Sequence, residues 1–326
     1  MTQQIGRRMI KHQCTDAHAS LLEVLPILYI TAQDASGQLW ATALVGQPGF
    51  VAVSKDPSKV VISNALLLGG GELTLQPGQT VGCLGLLPSS RRRVRLNGTI
   101  SHVEPAQQGR LLLTLQVQQA YGNCPKYIQK RNLQLSSDHL AAAGKAGGSG
   151  RSAGPLGAAE QALVRAADTF VIASSSGRQE PLTDAPVTQG SRLLATLFGG
   201  TSSQRHLEAD PSAFGADLSH RGGLPGFVQV LEGGSVLKWG DYEGNFMFNT
   251  LGNLLVNPSC SLLFLDFTNG DMLQVTGDAE VLHKDKQLPG AQRAVRLVVR
   301  EYAYSPAALP LRQVGAVEYS PYNPEA

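Results

Sequence analysis

Ser219-His220-Arg221-Gly222-Gly223-Leu224-Pro225-Gly226-Phe227-Val228 ends on four residues that the chain has already used once, as Pro48-Gly49-Phe50-Val51. The two copies begin at Pro48 and Pro225, 177 residues apart. What precedes them also matches. Before the first copy an apolar run from Leu28 to Ala32, a turn at Gly37 and a second run from Trp40 to Val45 read as two strands. Before the second copy, Phe170 to Ala173 and Leu218 to Gly223 read the same way. Downstream, Val60-Val61-Ile62 answers Val236-Leu237-Lys238, and Val81 to Leu87 answers Ser261 to Phe267. Arg93-Val94-Arg95-Leu96-Asn97-Gly98 answers Met272-Leu273-Gln274-Val275-Thr276-Gly277. Matches in one order at a nearly constant spacing imply two copies of one supersecondary unit.

Each unit is a series of short apolar runs separated by Gly, Pro, Asn and Asp, the signature of a small antiparallel barrel. The expected fold is mainly β with short helices (α+β). The predicted halves are 1–135, with a helical lead-in over the first 25 residues, and 158–326. The Ala/Gly/Ser-rich segment 136–157 reads as a flexible linker between them. An irregular insertion at 177–215, with a short helix at Ser191 to Leu197, interrupts the second half as a lid or excursion. Two helices are predicted within the units. One starts at Asn123-Cys124-Pro125-Lys126, with Pro125 preset for a first turn, and runs through Tyr127, Ile128 and Arg131. The other spans Asn245 to Val256, with Phe248, Leu251, Leu254 and Leu255 on one face, and ends at Asn257-Pro258.

With 326 residues, 42% apolar and 16% charged, the chain is long enough for two cores and too apolar for disorder. A net charge of +2 gives no basic footprint for nucleic acid. The four cysteines are far apart, which disfavours a disulfide framework or zinc site and suggests a reducing, cytoplasmic setting. Arg7-Arg8 has a twin-arginine look, but Glu23 and Pro26 break the apolar stretch behind it, so no export signal or membrane contact is expected. The histidines form no metal-binding spacing, no nucleophile elbow occurs, and Gly69-Gly70-Gly71 lacks the Lys-Ser/Thr of a P-loop.

The candidate site residues follow from strand and helix periodicity. Ser219 and Arg221 share one strand face with His220 opposite, and the adjoining Gly222 lets backbone approach a ligand while the guanidinium takes a phosphate. Asn249, Thr250 and Asn253 are poor helix formers inside an apolar helix, which suggests a ligand or buried hydrogen bonds. Gln274, on an apolar strand, has an amide suited to a ring edge. Lys126 at the start of the predicted 123–131 helix is unfavourable there unless an anion is near.

Taken together, SHRGGLPGFVQV, GDYEGNFMFNTLGNLLVNP and LLFLDFTNGDMLQVTGDAEV resemble the pyridoxamine 5'-phosphate oxidase-related FMN-binding family. WATALVGQPGFV, VGCLGLLPSSRRRVRLNG and YGNCPKYIQKR resemble the other half of its tandem version. The resemblance spans roughly residues 20–132 and 160–283. It implies two tandem split barrels packed as a pseudo-dimer, either within a monomer or in a homodimer, with FMN between halves. The family's basic strand residue matches Arg221. Its phosphate-binding Arg-Lys pair falls on Asn249-Thr250, which are not basic, and its flavin-contacting glutamine corresponds to Gln274, two positions along. Leu44 replaces Arg221 in the first half, and Arg93 and Arg95 stand where the second half has Met272 and Gln274. One flavin site headed by Arg221 is therefore expected. The implied activity is an FMN-dependent oxidoreductase taking electrons from NAD(P)H or a separate reductase and passing them to a small acceptor. The alternative is a non-enzymatic flavin or haem carrier, sensor or scaffold on the same fold.

Overall fold

The computed structural model describes residues 9–69, 73–136, 140, 150–177, 215–244, 247–283 and 285–324. The predicted short helix at Ser191 to Leu197, most of the 177–215 insertion and most of the 136–157 linker lie outside the described residues. The strands of the first half are β1 Ile27–Gln33, β2 Leu39–Val45, β3 Val51–Val53, β4 Lys59–Leu67, β5 Thr80–Leu87, β6 Arg92–Pro105, β7 Arg110–Gly122 and β8 Lys130–Leu135. Those of the second are β9 Arg151–Ala153, β10 Thr169–Ser175, β11 Ala216–Gly222, β12 Val228–Leu231, β13 Val236–Asp241, β14 Ser259–Leu265, β15 Met272–His283, β16 Arg293–Ser305 and β17 Leu311–Glu318. Among the described residues, three short α-helices accompany them: α1 Asp16–Leu22, α2 Ala158–Ala166 and α3 Asn249–Val256.

The first sheet runs β2-β1-β5-β6-β7-β4-β3, and a further pairing of β2 with β4 (Leu44↔Leu67, Val45↔Leu66) closes it into a six-stranded barrel. The second sheet runs β11-β10-β14-β15-β16-β13-β12, which is the same order strand for strand. Thr42 pairs Ile30 as Ser219 pairs Ile172, and Arg95 pairs Leu84 as Gln274 pairs Leu263. The register corrects one sequence match. Val60 pairs Val53 as Leu237 pairs Val230, so Val60 corresponds to Leu237 rather than Val236. Among the described residues, β11 and β13 do not pair; where β2 and β4 close the first barrel, the second leaves an open seam beside Gly222 and Gly240.

Alternation along the strands divides the apolar residues among three clusters. Leu28, Ile30, Leu44, Val60 and Leu96 fill the first barrel, and Phe170, Ile172, Trp239, Leu262 and Leu273 fill the second sheet's concave face. The opposite faces do not meet water. Tyr29, Ala41 and Ala43 pack on Ala173, Leu218 and Leu263 in a third cluster between the sheets, with β2 against β14 and β10, and β11 against β5. That is why β1 and β2 are apolar almost throughout: strands buried on both faces lose the in–out alternation.

Two helix expectations need correction. Residues 123–131 are not helical. Tyr127 adopts φ 66°, a left-handed conformation that ends any right-handed turn after Pro125. The chain then enters β8, whose Arg131, Leu133 and Leu135 share a face against β17. The second helix begins at Asn249, not Asn245, and its buried positions are Thr250, Leu251 and Leu254. Among the described residues of the lead-in, the complete helix is α1, where Thr15 and His18 form a reciprocal cap. The end of the expected linker is also ordered: Arg151 to Ala153 pair with β16, and Arg151 reaches Asp34 at 2.6 Å and stacks on Trp40.

Candidate functional site

The seam of the second sheet opens into a cavity with both halves in its wall. The first half contributes Arg93 and Arg95 from β6 and the turn Asn123 to Tyr127. The second contributes His220 and Arg221 from β11, Gly240 to Tyr242 at the end of β13, Phe248 just before α3 and Leu251 within it.

Arg221 donates to Ser219 Oγ at 3.2 Å and to the His220 carbonyl at 3.5 Å. Arg93 donates to the Cys124 carbonyl at 2.8 Å and meets His220 Nδ1 at 3.3 Å; its Nε is buried without a partner. Among the described residues neither guanidinium has a carboxylate within ion-pairing distance, whereas Arg95 pairs with Asp217 at 3.1 Å. Burial, with Arg95 and Arg221 alongside, pushes Arg93 down to about 10, and burial lowers Arg221. Two cations share this low-dielectric wall, and the carboxylate in it that acts on Arg221, Asp241, is itself paired with Arg293 at 3.0 Å, an arrangement that favours an anion. Asn123 Oδ1 is a further buried atom without a partner there.

His220 is fixed by its neighbours. A guanidinium N–H can only donate, so Nδ1 accepts from Arg93 and the ring proton sits on Nε2, 2.6 Å from Thr169 Oγ1. Thr169 then donates to the Arg221 carbonyl at 3.3 Å. Burial, then the charges of Arg93 and Arg221, hold His220 well below the ordinary histidine range, so it is neutral at pH 7.

Behind the cavity stands a buried polar wall. The Asp217 carboxylate accepts from Arg95, from Tyr121 Oη at 2.9 Å, from Asn97 Nδ2 at 3.2 Å and from Thr250 Oγ1 at 3.4 Å. Burial opposes charge on Arg95, but Asp217 and Tyr121 hold it above its ordinary value. Arg95 Nη2 also donates to Ser219 Oγ at 2.5 Å.

The structure distributes the residues singled out in the sequence. Arg221, Gly222 and Lys126 line the cavity. Ser219 lies beneath Arg221 as acceptor for both Arg95 and Arg221. Gly222 serves the junction of the halves: a Cβ there would come within 2.1 Å of the Tyr127 carbonyl. Lys126 lies in a turn, 3.8 Å from Glu243 and above the Tyr322 ring. Asn249 and Thr250 belong to the wall and the space behind it; Asn249 donates to Tyr121 at 3.2 Å. Gln274 is elsewhere. It is buried between the halves and donates to the Ala41 carbonyl at 2.8 Å. Its location is the pseudo-symmetric counterpart of the Arg95 position, where Leu44 replaces Arg221 and Thr42 donates to the Leu68 carbonyl. That counterpart is closed by side chains.

Sequence reading missed Arg93, Asp217, Tyr121 and His220 as members of this constellation. Arg93 and Arg95 did share a strand face, and that alternation was the available signal. Their target lay more than a hundred residues away on the other sheet.

No protein-family model and no curated protein sequence matches the chain. Solved structures similar to parts of it include a single-residue variant of HupZ from Group A Streptococcus, 8% identical, TM-score 0.28, covering 45% of this chain and 98% of that one. A candidate pyridoxamine 5'-phosphate oxidase from Lactobacillus delbrueckii is 16% identical, TM-score 0.26, covering 45% and 93%. The Bacillus subtilis inhibitor of motility MotI/DgrA is 8% identical, TM-score 0.22, covering 84% and 88%. Alignments at these scores carry no argument about function, and the site is read from its own residues. Among the described residues no cluster suited to a metal ion occurs, and no helix is long and apolar enough to cross a membrane.

Proposed function

We propose that the chain is a tandem pair of split barrels packed as a pseudo-dimer, and that it binds one FMN in the cavity between its halves. The observation that carries this reading is the pair Arg93 and Arg221, two half-buried guanidiniums with no carboxylate partner among the described residues, set in a wall that also holds Phe227, Tyr242 and Phe248. A phosphate suits the cations and an aromatic ring system suits the rest. Arg93 and Arg221 would hold the phosphate, with Lys126 at the rim. A single phosphate site without a Rossmann glycine fingerprint favours the mononucleotide over FAD. The motif resemblance to the FMN-binding family points the same way.

Bound flavin would supply the redox chemistry, and the chain would supply position and charge. On this reading the protein is an oxidoreductase served by NAD(P)H or a separate reductase. The haem alternative finds less support, because His220, the histidine in the cavity wall, has both ring nitrogens committed.

The test is the visible spectrum of the purified protein, followed by heat release and chromatography of any chromophore. Flavin bands and released FMN are expected. Predominant FAD, a Soret band, or no chromophore together with no quenching on FMN titration would overturn the reading.

A further inference from the structure

Behind the Arg95–Asp217 wall lies a second, open cavity that the flavin reading leaves unused. Its floor is one face of α3. Asn249, Gly252 and Asn253 stand at i, i+3 and i+4 and all line it. Asn97 and Gln119 of the first half and Asp217 of the second complete it.

Three features of this cavity point to a ligand. First, α3 carries two asparagines and a glycine on one face, and the glycine gains no packing there. Among the described residues nothing lies within 4 Å of where a Gly252 Cβ would stand, so the glycine makes room rather than a contact. Second, the lining has no net demand for charge. Among the described residues no lysine or arginine lines it, and Asp217 is neutralised by Arg95 and already accepts from four side chains. Third, the carboxamides direct their N–H groups to the protein: Asn249 to Tyr121, Asn253 to Ser174 at 3.1 Å, and Asn97 to Gln119 and Asp217. Their carbonyl oxygens remain, and Asn97 Oδ1 is buried without a partner.

A cavity whose described lining is uncharged on balance, rich in acceptors and without an aromatic platform selects a ligand of matching chemistry. We infer that it is a second binding site, specific for a small neutral polyhydroxyl compound such as a sugar or sugar alcohol. Hydroxyl groups donate to the carboxamide oxygens and accept from any rotated N–H, and the bare face at Gly252 admits the carbon chain. An anion would find no cation there, and an ammonium group would face a carboxylate whose charge is already cancelled.

The experiment is saturation-transfer NMR on the full chain with ribitol, glucose and myo-inositol, with acetate and methylammonium as charged controls. At least one polyol should give a competable signal, and neither control should. Gly252→Val fills the space above α3 and should abolish the signal. Gly252→Ala, which the helix accepts readily, puts one methyl into the ligand's space and should weaken binding about fivefold, roughly 1 kcal/mol of crowding, without lowering the melting temperature. Arg221→Ala should leave polyol binding intact, which separates this site from the anion cavity. The inference is overturned if no polyol binds, if the charged controls bind equally, if both Gly252 variants bind as the parent does, or if Arg221→Ala removes the signal.

Discussion

At the residue scale the anion cavity depends on which cations are already engaged. Arg95 is bound to Asp217, and Lys126 has Glu243 nearby at the surface; Arg93 and Arg221 have only neutral acceptors among the described residues. Arg221→Ala and Arg93→Ala should each weaken FMN binding by one to two decades, because a charge-assisted contact is worth about 1.5–3 kcal/mol. Titration by flavin fluorescence quenching measures this, and unchanged affinity in both variants would remove the pair from the site. Lys126→Met should cost less than either and should flatten the salt dependence, since an exposed charge is screened where a buried one is not. His220 gives a separate prediction through its protonation. Its folded pKa lies well below the ordinary value near 6.5, so below that pH the unfolded chain binds a proton that the folded chain refuses. Stability is therefore full above the unfolded pKa and falls as pH drops through it, by up to about 1.4 kcal/mol per pH unit. Urea denaturation between about pH 7 and 5, the window around that unfolded pKa, should show a shallower loss in His220→Gln than in the parent. An identical slope would mean that His220 protonates in the folded state.

At the scale of elements, α3 illustrates a helix that gives up stability for the surface it presents. Glycine in a helix interior costs about 1 kcal/mol relative to alanine, and the Cβ at position 252 meets nothing. Gly252→Ala should raise stability by about that amount and the melting temperature by a few degrees, read by thermal denaturation. A fall instead would mean that the position is more crowded than the structure shows. The same helix marks how far sequence reading reached. Its apolar face and its end at Asn257-Pro258 were legible because they are local. Its polar face was noticed, but the partners of that face, Tyr121 and Asp217, come from two other strands in two halves. The stretch 123–131 was misread for a related reason. Pro125 close behind an Asn is a sound helix start, yet the left-handed turn at Tyr127 and the alternation of Arg131, Leu133 and Leu135 decide for a strand. That strand exists because β17, nearly two hundred residues on, pairs with it. The correspondence of strands between the two halves was legible because each unit repeats the same apolar runs, and a repeat supplies its own control; their order in the sheets was not.

At the scale of the whole molecule the two halves share one order of strands and differ where it matters. The first closes at Leu44 and Val45; the second stays open at Arg221 and Gly222, and the opening is the anion cavity. The seam that is open in the second half is packed shut at its counterpart, which holds Leu44 and Gln274. The halves are also tied together by more than the chain between them. Tyr29, Ala41 and Ala43 are buried against Ala173, Leu218 and Leu263, and β17 returns from the second half to pair with β8 of the first. Two buried ion pairs cross the junction, Arg95 with Asp217 and Arg131 with Asp168, and burial raises the Asp168 carboxyl despite Arg131 beside it. Separating the halves would expose that apolar face and strip both carboxylates of their partners, and losing one partner of a buried pair alone costs about 3–5 kcal/mol. A chain carrying an inserted protease site at Gly147-Gly148, once cut, should therefore elute from a sizing column as one particle of parental size and keep its ligand affinity. Each half expressed alone should be insoluble or should expose apolar surface that binds a hydrophobic dye. Clean separation of the cut fragments without denaturant would mean that the junction is weaker than its burial implies, and that the site between the halves needs the covalent link to exist.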